Sequence, residues 1–127
     1  MYGYSKTTEL SFDDAVARVR DELGKEGFGI LTEIDVKATL KKKIDVDFRK
    51  YIILGACNPP FAHRALSAEL DIGLLMPCNV IVYENDGGGS TVAAMNAGLM
   101  ADVTGKQELA SVANEVNSKL QKAVDAV

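Results

Sequence analysis

The chain is predicted to fold as an α+β protein, with helices packed on one face of a mostly antiparallel sheet. Three observations predict this. Apolar residues recur at helical spacing over Phe12–Leu23 and again over Leu109–Val124. The run "YIILGAC" is apolar on both alternating faces, as an inner strand should be. Two further strand-like runs, "CNVIVYEN" and "TVAAMNAGLM", flank "DGGGS", whose glycines permit a hairpin turn. The resulting order, strand, helix, strand, short helix, strand, helix, two strands joined as a hairpin and a closing helix, suits an α+β sandwich with helices on one face of a mostly antiparallel sheet.

Taken in order, residues 4 to 10, "YSKTTEL", read as a first strand. Ser11 then caps a helix, its hydroxyl placed to accept from the N–H of Asp14 in a shortened capping box. Phe12, Ala15, Val16, Val19 and Leu23 form the buried stripe, and Gly27 ends the helix. A strand over "FGILTEID" leads into "VKATLKKKI", a short helical segment anchored by Leu40 and Ile44. The inner strand runs through "FRKYIILGACN", with Tyr51, Ile53, Gly55 and Cys57 on one face and Ile52, Leu54 and Ala56 on the other. Asn58 is the natural N-cap and Pro59 the natural first residue of a helix reaching about Glu69, because proline costs nothing where the N–H has no helical partner. "DIGLLM" reads either as a last helical turn or as the start of a strand. Pro77 marks entry to the next strand, since it cannot donate within a ladder. That strand carries Cys78, Val80 and Val82 on one face, and "TVAAMNAGLM" returns as its partner. Residues 105 to 125 form the longest helix, with Leu109, Val112, Ala113, Val116, Leu120 and Val124 in one stripe.

Size and composition bound the function. The chain has 127 residues, 47% of them hydrophobic and 25% charged, and is expected to form one domain over residues 1–127. A net charge of −4 argues against a nucleic-acid partner, which needs clustered Lys and Arg. The basic run Lys41–Lys43 is flanked by Asp35, Asp45 and Asp47 and reads as a solvated face. No secretory leader or membrane span is expected, so the expected location is the cytoplasm, where cysteines stay as thiols. "GGGS" lacks the Lys-Ser/Thr pair and helix start of a phosphate loop, and the lone His63 has no nucleophile-elbow serine to serve.

Chemistry concentrates between residues 55 and 82, which hold both cysteines, the single histidine and all three prolines. If the strand ending at Cys57 and the strand beginning at Cys78 are antiparallel neighbours, their thiols approach one another. Cys57 directly precedes a helix N-terminus, where unpaired N–H groups and the macrodipole favour an anion. Cys57, Cys78 and His63 are therefore the expected metal ligands, for zinc or another soft metal such as copper, with one position left open. Cys57, Asn58, Cys78 and Asn79 are the expected ligand-binding residues, the two asparagines orienting the site through hydrogen bonds. Two alternatives stand beside this binding module. One is a thiol redox enzyme with Cys57 as attacking and Cys78 as resolving thiol. The other is a structural or interaction protein whose cysteines are core filler.

The segments "LGACNP", "ALSAE", "IGLLMPCNV" and "VKATL" resemble the domain of unknown function 302 family, and the resemblance covers nearly the whole chain. One departure is "AELDIG", where that family's pattern has a proline near Leu70. The resemblance implies a curved antiparallel sheet with helices on one face, like the fold of the TATA-binding protein, and a homodimeric partner of the same kind. It implies marked positions at Cys57, Asn58, Pro59, Pro77, Cys78 and Asn79, with His63 matching less firmly. It supplies no activity.

Overall fold

The computed structural model describes residues 2–127. Its five strands are β1 (Gly3–Thr8), β2 (Gly29–Asp35), β3 (Tyr51–Cys57), β4 (Cys78–Glu84) and β5 (Ser90–Met95). They form one sheet in the order β1-β5-β4-β3-β2, with every neighbouring pair antiparallel. The expected α+β class is met, and β3 is an inner strand as its two apolar faces predict. The described residues also form five α-helices, α1 (Phe12–Lys25), α2 (Val36–Ile44), α3 (Pro59–Ala68), α4 (Leu99–Thr104) and α5 (Gln107–Asp125), and one 3-10 turn.

The helix-bearing face of the sheet holds the core. Ile52, Leu54 and Ala56 of β3, Val80 and Val82 of β4, and Val92 and Ala94 of β5 are all buried there. Ala15, Val19 and Leu23 from α1 and Leu109, Val112, Val116 and Leu120 from α5 close over them. α1 and α5 lie against each other, and α3 and α4 both pack on α5. Ser11 caps α1 as expected, accepting from the Asp14 N–H at 3.1 Å. At its far end α5 reaches back to the edge strand, where Tyr4 donates to Asp125 Oδ1 at 2.6 Å and Lys6 donates to the Val127 carbonyl.

Four local expectations are corrected. β1 stops at Thr8 rather than Leu10. Ile44 does not anchor α2, which has no buried residue at all; Asp35 holds the helix by accepting from the Ala38 N–H at 2.9 Å. "DIGLLM" takes the helical of its two alternatives, but as a separate 3-10 turn over Leu70–Leu75 rather than a last turn of α3, with Ile72 buried. Finally β5 ends at Met95, and the rest of the apolar run "TVAAMNAGLM" becomes the start of α4. The reason is a side-chain clamp. Asn96 Oδ1 accepts from the Gly98 N–H at 2.9 Å and from Asn117 Nδ2 at 2.8 Å, while Asn117 Oδ1 accepts from the Ala97 N–H. Local side-chain bonds of this kind offer the backbone an alternative to the ladder. The chain is turned off the sheet into the core, where Ala97 and Met100 are buried.

α1 and α5 leave the opposite sheet face uncovered, and α2 packs only against β2 and β3. Strand alternation puts Ser5 and Thr7 of β1, Thr32 and Ile34 of β2, Tyr51 and Ile53 of β3, Ile81 and Tyr83 of β4, and Ala93 and Met95 of β5 on it. None of these residues is charged. Tyr51 and Tyr83 stack across β3 and β4 with ring centroids 5.4 Å apart, and Phe48 leans against Tyr51 at 6.3 Å.

Candidate functional site

β3 ends and β4 begins at the same edge of the sheet, because the ladder pairs Ala56 with Cys78 and Gly55 with Asn79. Between these ends and the helices lies a narrow apolar cleft of about 30 Å³. Phe61, Ala62 and Ala65 of α3 roof it, Met100 of α4 and Val112 and Val116 of α5 form its floor, and Phe28, Met76, Pro77, Cys57 and Cys78 complete the wall. No charged side chain lines it.

The same ladder settles where the thiols point. Cys78 is opposite Ala56 and shares its core-facing side, packing against the buried cluster. Cys57 is one residue further along, so alternation assigns it to the other face, with Gly55 and Ile53. Both thiols are free and half-buried. Side chains that leave the sheet on opposite faces do not meet the geometry of a disulfide. Burial pushes the Cys78 thiol up to about 11, with the neighbouring Cys57 adding to the effect. Cys78 is therefore a neutral thiol at physiological pH.

The remaining expected residues fall into different places. Asn58 is nearly buried but does not cap α3 through its side chain; Nδ2 donates instead to the Glu26 carbonyl at 3.2 Å. It ties the start of the α3 roof to the end of α1. Asn79 is exposed and pairs with Gly55 on the uncovered face, away from the cleft. His63 is exposed on α3 and does not line the cleft. Among the described residues, no group of three or more His, Cys, Asp or Glu side chains is arranged to hold a metal ion. The expected set of Cys57, His63 and Cys78 is thus not assembled: the two half-buried cysteines border the cleft, whereas His63 is exposed on α3 outside it.

Gly55 shows why the motif is built as it is. A Cβ there would run into Thr32 Oγ1 and come within 2.8 Å of Pro77 Cγ, so only glycine lets Pro77 lie across the strand. The α3 roof is held at its other end too, where Lys106 Nζ donates to the Ala68 carbonyl at 3.1 Å and pairs with Glu69 at 3.3 Å. In between, Arg64 pairs with Glu115 of α5 at 2.8 Å. Sequence reasoning missed Met76 and Met100 as cleft residues. Met76 stands directly before the "PCN" segment, which was a usable signal; Met100 lay inside a run read as strand.

Fold and cleft together define a small α+β protein with an open-faced antiparallel sheet and one sulfur-bearing apolar recess. The family model "Domain of unknown function DUF302" matches residues 4–127, and the chain belongs to that family. Among solved structures it is similar to the crystal structure of the uncharacterised conserved protein DUF302 from Bacillus stearothermophilus. The two share 26% sequence identity and a TM-score of 0.91, over 99% of this chain and 98% of the other. Among curated proteins there is no match. No helix of the described residues is long and apolar enough to cross a membrane.

Proposed function

We propose that this protein is a small binding module that takes a soft metal ion or a comparably small ligand into the cleft bordered by Cys57 and Cys78. The observation that supports this is the recess itself, which brings both cysteines of the chain to one wall and leaves that wall without a charged group. Cys78 is the contact residue, Asn58 secures the roof, and Asn79 and His63 lie outside the ligand's reach. A thiol redox cycle through Cys57 and Cys78 fits less well, because the two side chains leave the strands on opposite faces. The reducing cytoplasm suits two free thiols. Titration of the reduced protein with zinc, cadmium and silver ions by calorimetry tests the reading. It expects saturable binding of at least one of them at one ion per chain, weakened tenfold or more by Cys78→Ser. Absence of binding by all three, or binding unchanged in Cys57→Ser and Cys78→Ser, overturns it.

A second observation favours self-association. The uncovered sheet face carries no charge, whereas a quarter of the whole chain is charged. Depletion of charge with enrichment of Tyr, Phe and Met is the composition of an interface core. Five strands of six or seven residues span roughly 20 Å by 20 Å. That flat footprint, about 400 Å², is roughly half of the ~800 Å² per partner that stable complexes bury, and the exposed Phe48 and Ile44 beside it add to it. Lacking charges to repel its copy, the face suits a homodimer.

A further inference from the structure

The cleft wall holds more sulfur than its two cysteines. Met76 follows the 3-10 turn, Cys78 opens β4, and Met100 sits in α4, so three separate elements each bring a sulfur side chain to one recess. Met76 and Cys78 pack against the core and Met100 is 3% exposed. Resting on the binding-module reading above, we infer that Met76, Cys78 and Met100 form a site for a monovalent soft cation, Cu(I), held by one thiolate and two thioethers.

Two physical arguments select this ion. Thioether sulfur is a soft donor that suits Cu(I), whereas zinc sites are built from thiolate, imidazole and carboxylate. Charge decides as well. Cu(I) bound to one thiolate is a neutral unit, which an apolar wall accepts. Zn(II) on the same three ligands would leave a net positive charge with no carboxylate to meet it, and uncompensated buried charge is strongly unfavourable. Binding is simple exchange: the Cys78 S–H bond breaks, its proton leaves to solvent, a Cu–S bond forms, and copper stays in the +1 state throughout.

The test uses the full chain, reduced and anaerobic, with Cu(I) supplied in competition with a chromophoric Cu(I) chelator and the bound ion examined by X-ray absorption. The expected result is one Cu(I) per chain in an all-sulfur shell. Met76→Leu and Met100→Leu, which keep side-chain volume, should each lower affinity tenfold or more with an unchanged circular dichroism spectrum. Zinc should bind at least a hundredfold more weakly than Cu(I). Cu(I) binding that survives both methionine variants, or a shell containing nitrogen or oxygen, overturns the thioether site while leaving a Cys78-dependent binding module standing. Loss of all soft-ion binding removes both readings.

Discussion

The two faces of the sheet are made from the same strands, and they solve opposite problems. On the covered face, Leu54 and Val80 are fully buried beneath α1 and α5. One residue along, Ile53 and Ile81 are only half-buried, and Ile34 is 47% exposed. The residue types scarcely differ; what differs is whether helices arrive to cover them. An uncharged face left open after the core is complete has the composition of an interface core, which is the basis of the proposed self-association. The cleft sits where the two faces meet, at the strand ends, so Cys78 belongs to one face and Cys57 to the other.

The largest effect separates the faces directly. Leu54→Ala opens a cavity in the core and should cost about 2–5 kcal/mol of unfolding free energy. Ile53→Ala, its neighbour on the open face, should cost about 1 kcal/mol or less in dilute monomer. Urea denaturation at low protein concentration compares the two, and equal costs would mean the open face is covered within the monomer. Next, Ile81→Lys places like charges across a face-to-face dimer and should raise its dissociation constant by at least ~100-fold. Sedimentation equilibrium reads this, with circular dichroism expected to be unchanged. An unaltered dimer mass would move the interface elsewhere.

On the covered side, the raised Cys78 thiol carries a pH signature. Between pH 9 and 11 the unfolded chain releases this proton while the folded chain keeps it. Stability is therefore unaffected below pH 9 and falls above it, by about 2 kcal/mol at pH 11. Cys78→Ala should flatten that decline in parallel urea titrations; a decline unchanged in the variant would show that Cys78 is not responsible. The smallest effect lies at the hinge between roof and body. Asn58→Ala removes the bond to the Glu26 carbonyl and should cost about 1 kcal/mol. Hydrogen exchange should then quicken in α3 and stay unchanged in β4. Faster exchange in both would make Asn58 part of the global core rather than a local tether.

Most elements were legible in the residues because they rest on local chemistry. Ser11, the stripe of α1, Pro59 at a helix start and the stripe of α5 each need only their own neighbours to be read. The losses came where distant residues decide. Asn96 ends β5 because Asn117, in α5, meets it, and no window around residue 96 contains that partner. Asn58 looks like a cap, yet a carbonyl at Glu26 holds its amide. The cysteines are the sharpest case. Alternation was correct within each strand, but the relative face of two strands depends on register, and a shift of one residue reverses it. The observed pairing of Ala56 with Cys78 sends Cys57 to the opposite face. A strand apolar on both sides likewise says that both faces are dry, not what dries them. The methionines escaped because thioethers ordinarily fill core gaps, and only their convergence on one recess distinguishes them.

The most direct test of the binding cleft is anomalous diffraction at the copper edge from crystals of the reduced protein grown with Cu(I). One peak per chain, within bonding distance of the Cys78 sulfur and beneath the α3 roof, is the predicted result. Peaks confined to surface side chains, with none in the recess, would contradict it.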